Sequence, residues 1–326
     1  MRVVVTGACG FIGSHTVERL IAQGHEVTGI DSFDSYLYPS AIKRLNSENL
    51  KALPSFYLVE GDICDPVVLE RGITADVDVV CHLAALAGVR PSLADPQRYL
   101  RTNIVGTGAI AERMRSLGLT RLVFASSSSV YGAKPGADLR AVAAFEESDP
   151  CLTPASPYAA TKRMNELQLS TYRDLFGLGV FALRFFTVYG PRQRPDMAIA
   201  KFIHAIAHDQ PITLFGDGTS RRDYTFIEDI VTGVVAAIER VAPGRFELYN
   251  LGGTSTISLR ELVDVVERVV GKAARIDWQP MQPGDVPVTY ANIARARDAL
   301  GYAPTTGVEA GIARQWAWAR QLRPMP

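Results

Sequence analysis

The opening stretch most limits what this chain can fold into. Arg2-Val-Val-Val-Thr6 is a short β-branched run. It passes directly into Gly7-Ala-Cys-Gly10-Phe-Ile-Gly13, then into an amphipathic stretch to Gln23 whose apolar side carries Phe11, Ile12, Val17, Leu20 and Ile21. Strand, glycine turn and helix in that order build a phosphate cradle. Gly7 permits the tight turn, Gly10 leaves room for a pyrophosphate against the backbone, and Gly13 lets helix and strand pack closely. The helix start, at Phe11 and Ile12, offers free N–H groups and the positive end of its dipole. The spacing is one residue longer at its start than the commoner Gly-x-Gly-x-x-Gly fingerprint of dinucleotide sites.

A second strand runs from His25 and ends at Asp31, about twenty residues after the loop, where a carboxylate can accept both hydroxyls of an adenosine ribose. It repels a 2′-phosphate, and Ser32-Phe33-Asp34 follows rather than an arginine. The expected cofactor is NAD rather than NADP.

The 326 residues suit a large α/β domain with a smaller one attached. With 47% hydrophobic residues, 21% charged residues and no net charge, the chain lacks the basic excess expected for nucleic acid or for a membrane surface. No apolar run is long enough for a bilayer span. No charged leader with an apolar core stands before the first strand, and Cys9, Cys64, Cys81 and Cys151 are scattered. Reduced thiols and a cytoplasmic location are expected. His204 and His208 share a helix face without a third ligand near them, so no metal site is expected.

Strands and helices alternate through the first half, the pattern of a doubly wound parallel sheet in a Rossmann-like α/β fold. Residues 56–60 read as a third strand ending in Gly61-Asp62-Ile63. Residues 77–83 read as a fourth, running into Ala84-Ala-Leu-Ala-Gly88. A long helix is expected over 96–117, carrying Asn103 and Gly106. A fifth strand, 121–125, ends in Ser126-Ser-Ser-Ser-Val-Tyr-Gly132, and a loop follows over 132–154. Ser156-Pro157 opens a helix to about 176, with serine as its cap and proline in its first turn. A sixth strand, 180–186, leads into Thr187-Val-Tyr-Gly-Pro-Arg192. Residues 1–184 are expected to form the NAD-binding domain and 185–326 a smaller α/β substrate domain, with a segment near 223–250 returning to the first. Ligands of such sheets sit beyond the carboxyl ends of the strands. Those ends, Leu83-Ala84-Ala85 among them, are small or polar here.

Tyr158 and Lys162 lie four apart at the start of a helix, on one face. An ammonium beside a phenol favours the phenolate. A tyrosine so poised can take a proton from an alcohol while a hydride leaves for a nicotinamide.

Gly7-x-x-Gly10-x-x-Gly13, Ser127 and Tyr158-x-x-x-Lys162 resemble the short-chain dehydrogenase/reductase superfamily, in its extended, sugar-nucleotide-modifying branch. The resemblance runs over nearly the whole chain. It implies Ser127 as a catalytic partner of Tyr158 and Lys162. It places Asp62 and Ile63 at the adenine edge, and Asn103, with Leu83, Ala84 and Ala85, on the cofactor side. Arg222, in Arg222-Asp223-Tyr224, and Asp285, in Pro283-Gly-Asp285, would face the diphosphate and ribose of a UDP-sugar. Thr213 to Phe215 would flank the uracil, with Gln282 standing where members often carry arginine. A homodimer through the long helices is also implied.

Three relatives share oxidation of a sugar hydroxyl and then diverge. The 4,6-dehydratases carry an Asp-Glu pair just after the catalytic Thr, and UDP-glucuronate decarboxylases a Glu immediately before Val-Tyr-Gly. Ser128 and Ser129 stand at those positions here, so elimination has no evident proton carrier. Oxidation, rotation of the ketone and hydride return to the other face remain, which is epimerisation at C4. UDP-galactose 4-epimerases carry Asn in place of Thr187. The stretch from Thr187 to Met197, with that from Gln282 to Tyr290, resembles the UDP-glucuronate-specific members. Ser128, Ser129 and Thr187, with Arg192 or Arg194, could hold a sugar carboxylate. The arginines could equally bind phosphate or cap the loop at the surface. A UDP-glucose or UDP-N-acetylglucosamine 4-epimerase and a NAD-sensing relative without turnover remain alternatives.

Overall fold

Alternating burial along the first strand sets the architecture. Val3 and Val5 pack into one core and Val4 into another, because successive side chains leave a strand on opposite faces. A strand apolar on both faces belongs in the middle of a parallel sheet covered by helices. The computed structural model describes residues 1–132, 143–281 and 286–321.

In chain order the elements begin β1 (Arg2–Thr6), α1 (Phe11–Ala22), β2 (Glu26–Asp31), α2 (Ser40–Lys51), β3 (Phe56–Glu60), α3 (Pro66–Gly72) and β4 (Val79–His82). Then come α4 (Val89–Ala94), α5 (Pro96–Tyr99), a π-helical stretch (Leu100–Val105), α6 (Gly106–Ser116), β5 (Arg121–Ser127), α7 (Pro157–Phe176) and β6 (Gly179–Phe185). The later elements are β7 (Thr187–Tyr189), α8 (Ala198–Ala207), β8 (Pro211–Phe215), β9 (Arg221–Arg222), β10 (Tyr224–Phe226), α9 (Ile227–Arg240) and β11 (Phe246–Leu251). The chain continues with β12 (Ile257–Ser258), α10 (Leu259–Val270), β13 (Arg275–Gln279), β14 (Val288–Thr289), α11 (Ala294–Leu300) and α12 (Val308–Ala319).

Seven of these strands form one parallel sheet in the order β11-β6-β5-β4-β1-β2-β3. The order reverses at β1, between β4 and β2, and this is the switch point where open α/β sheets bind ligands. Phe246–Leu251 comes back to the sheet edge beside β6. Small two- and three-stranded ladders gather the remaining strands: β10 with β7, β13 with β8, and β12-β9-β14. Among the described residues no helix is long and apolar enough to cross a membrane.

Ser156 caps α7 as its type and position require, accepting the N–H of Ala159 at 3.1 Å with Pro157 behind it. The helix expected over 96–117 is interrupted. The π stretch carries Asn103, whose side chain reaches inward to Leu86 and Thr161.

Candidate functional site

A cleft of about 2690 Å³ runs along the carboxyl ends of β1, β2, β4, β5 and β6. Ordinary ligand pockets measure roughly 300–1,000 Å³, so this one has room for a dinucleotide and a second large ligand together.

At one end lies the glycine loop. Gly7 has φ +69°, and a Cβ there would meet the backbone N of Ala84 at 2.9 Å. A Cβ on Gly13 would fall 2.0 Å from the carbonyl oxygen of Gly7. Only glycine lets the turn fold this tightly under the helix. No described side chain caps α1, so Phe11, Ile12 and Gly13 bring its first N–H groups to the cleft. Asp31 is buried, and its two carboxylate oxygens accept the N–H of Cys9 at 3.0 Å and of Phe33 at 2.9 Å. Each oxygen keeps a lone pair for a ribose hydroxyl. Asp62, Ile63, Leu83, Ala84 and Ala85 line the same wall. The cradle fits a dinucleotide.

Midway, Ser127 at the end of β5 meets Tyr158 on the first turn of α7, and Lys162 follows one turn later. The Tyr158 hydroxyl hydrogen-bonds Ser127; burial pushes the phenol up, while Ser127 and the Arg194 charge pull it down. Ser129 turns back on the same serine, Oγ to Oγ at 2.9 Å. Lys162 turns toward β5. Its ammonium donates to the carbonyl oxygen of Ala125 at 2.7 Å and lies 4.8 Å from the centre of the Phe124 ring. Burial lowers it to about 7, opposed by Glu166. The Arg194 charge bears on the phenol.

At the far end Ser128, Ser129, Thr187 and Arg194 line the wall, followed by Thr213, Phe215 and Arg222. Arg194 forks onto Asp196, with Nε to Oδ1 at 2.9 Å and Nη2 to Oδ2 at 2.5 Å. Burial lowers its pKa, but this fork outweighs burial and holds it above the ordinary guanidinium value. Arg222 donates from Nη1 to the carbonyl oxygens of Arg221 and Pro287.

Two expected site residues stand elsewhere. Arg192 leaves the cleft: its backbone has φ +64°, and Nη2 reaches Glu18 on α1 at 2.7 Å. The left-handed turn sends it and Arg194 in different directions. Asn103 does not line the cleft either. Its amide accepts the N–H of Leu86 at 2.9 Å and donates to the Leu86 carbonyl and to Thr161 Oγ1, each at 3.0 Å. It ties the loop after β4 to α7. Gln282 and Asp285 lie outside the described residues.

Behind the catalytic face sits a network the sequence reading missed. Arg184 Nε and Nη2 fork onto Glu166 at 2.8 Å each, Ser126 donates to Glu166 at 2.7 Å, and both charged groups are buried. An arginine inside an otherwise apolar strand was the available signal, since such a residue needs a buried partner. The cleft also draws in Lys43 and Arg44 from α2 and Arg90 from α4, with the Arg90 guanidinium 4.3 Å from the centre of the Phe215 ring.

Fold and site together define a dinucleotide-dependent enzyme of the short-chain dehydrogenase/reductase type. The chain belongs to the NAD dependent epimerase/dehydratase family, whose profile matches residues 3–252. It is 39% identical to the UDP-glucuronate 4-epimerase of Thermodesulfobacterium geofontis, over 98% of this chain and 96% of that protein. The crystal structure of UDP-glucuronic acid 4-epimerase from Bacillus cereus, in complex with UDP-glucuronic acid and NAD, superposes with a TM-score of 0.90 at 36% identity. That match covers 99% of this chain and 100% of that one. UDP-glucose 4-epimerase of Thermus thermophilus, in complex with NAD, gives 0.87 at 32% identity, covering 98% and 99%.

Proposed function

We propose that this protein epimerises UDP-glucuronic acid to UDP-galacturonic acid at C4, using bound NAD. The glycine loop and Asp31 would hold NAD, which would supply the acceptor and donor of the C4 hydride. Tyr158 takes the proton of the C4 hydroxyl and gives it back on the other face, and Ser127 orients the reacting oxygen. Lys162 lines the same stretch of the cleft. The glycine loop with Phe11 and Ile12 receives the pyrophosphate; Asp31 receives the adenosine ribose; Asp62 and Ile63 border the adenine. Thr213 and Phe215 flank the uracil, and Arg222 faces the diphosphate. Asp285 and Gln282 are assigned to this end by likeness alone.

The observation that carries the choice of substrate is the wall at Ser128, Ser129, Thr187 and Arg194. Short hydroxyl donors and one paired cation suit a sugar carboxylate, and the serines leave no carboxylate there to drive elimination. The relatives at 36–39% identity whose names carry UDP-glucuronate support the same reading. Product analysis after incubation with UDP-glucuronate tests it, with UDP-galacturonate expected. Turnover of UDP-glucose or UDP-N-acetylglucosamine alone would replace it with the hexose 4-epimerase reading.

We further infer a cytoplasmic homodimer. The four free cysteines suit a reducing compartment. Val105, beside α7, and Met164 and Leu167, on α7, present apolar side chains to solvent on adjoining helices. Light scattering at the mass of two chains, and its loss on Leu167→Glu, is the expected result.

A further inference from the structure

The adenosine-ribose end of the cleft holds more positive charge than its sequence neighbourhood suggests. No arginine directly follows Asp31, yet α2 brings Lys43 and Arg44 to the same wall. Each is held. Lys43 donates from Nζ to the carbonyl oxygen of Asp34 at 2.9 Å and lies 5.1 Å from the Tyr38 ring centre. The Arg44 guanidinium lies 3.8 Å from the centre of the Phe33 ring and forks onto Glu60, Nη1 to Oε2 at 2.7 Å and Nη2 to Oε1.

The position of Glu60 follows from the sheet. It is the last residue of β3, and the parallel register sets it beside Asp31, the last residue of β2. Phe33 is fixed by the same aspartate: its N–H bonds Asp31 Oδ1, and its φ of +52° turns the ring to where Arg44 lies over it. Arg44 is close enough to Asp31 to feel its charge. An exposed ion pair is weak by itself. A fork seated on an aromatic face is better defined, because the planar guanidinium satisfies both at once.

We propose that Glu60 is a cofactor-specificity residue: by holding Arg44 on itself and on Phe33, it withholds that cation from the 2′-phosphate of NADP. Asp31 then repels the phosphate and Glu60 removes a compensating cation. Selectivity for NAD rests on two carboxylates at the ends of adjacent strands. This extends the reading of the cleft as a NAD site and rests on it.

The test titrates the full chain, freed of copurified dinucleotide, with NAD and with NADP, and reads the ratio of the two dissociation constants. Glu60→Ala should shift that ratio toward NADP by about tenfold, the worth of one charge-assisted contact. Glu60→Gln, which keeps the shape and loses the charge, should shift it in the same direction. Arg44→Ala with Glu60→Ala should restore the ratio of Arg44→Ala alone to within about twofold. A Glu60→Ala ratio within about twofold of wild type, or a gain that survives loss of Arg44, overturns the proposal. Wild type binding neither dinucleotide would overturn the cofactor reading itself, whereas wild type binding NAD with an unmoved Glu60→Ala ratio sinks only the role of Glu60.

Discussion

Lys162 donates to the carbonyl oxygen of Ala125 at 2.7 Å, which places an ammonium inside the protein against the strand that ends in Ser127. Burial holds this lysine at about 7, below the ordinary value of roughly 10.4. Between those values the unfolded chain binds a proton that the folded chain does not, so this residue makes stability rise with pH through that window. Urea midpoints of wild type and Lys162→Met should diverge from pH 7 toward 10, wild type gaining relative to the variant. Parallel curves would show that the lysine titrates near its ordinary value.

Tyr158→Phe removes one hydroxyl and leaves the ring packed edge-on against Tyr99. Turnover should fall by about 100-fold or more with NAD binding retained. Ser127→Ala should cost less, since that hydroxyl orients rather than transfers. Steady-state rates on UDP-glucuronate check both, and a Phe variant keeping most of its activity would move the base elsewhere.

The two nearby arginines should separate. Arg194 pulls the Tyr158 phenol down, so Arg194→Leu should move the acidic limb of the pH–rate profile to higher pH. Arg192 faces Glu18, and Arg192→Leu should leave that limb in place. An equal shift in both variants would contradict the divergence of the two side chains.

Oxidation at C4 of a uronic acid gives a β-keto acid, which loses CO₂ when its carboxylate bond aligns with the carbonyl π-orbital. Thr187→Val keeps the shape and deletes one hydroxyl from the wall proposed to prevent that alignment. Losing one such bond costs about 1.5–3 kcal/mol, roughly tenfold to a hundredfold in rate. Epimerisation should drop and the fraction released as decarboxylated pentose should rise. Normal epimerisation without pentose would mean that the carboxylate is held elsewhere.

Asn103→Ala strips the partners from both polar groups of Leu86, so stability should drop by about 1–3 kcal/mol in chemical denaturation. A direct ligand contact would instead weaken NAD binding with no change in the denaturation midpoint.

Local signals were legible from the sequence. The glycine turn depends on steric limits at Gly7 and Gly13, and the Ser156-Pro157 cap on hydrogen bonds within one turn, so both are written in adjacent residues. Tertiary outcomes were not. Asn103 turns inward because Leu86 and Thr161 wait there, and nothing in residues 100–105 announces a π turn. Arg192 and Arg194 are indistinguishable until φ at Arg192 becomes positive. Arg44 reaches the ribose end only because α2 packs over Phe33. The Lys162–Glu166 spacing of four was readable, but Arg184 joins it only once β6 lies beside β5.

The return of β11 to the sheet edge ties the two halves of the chain together during folding. β6 finds its outer neighbour only after β7, β8, β9 and β10, with their share of the far wall, have been made. Asp223 then fastens that wall to the strand's exit, its carboxylate taking the N–H of Gly253 at 2.6 Å and of Ala291 at 3.2 Å. Neither half can be cut out as a contiguous piece with its edges satisfied. The finished protein should melt in one cooperative transition with both ends of the cleft lost together.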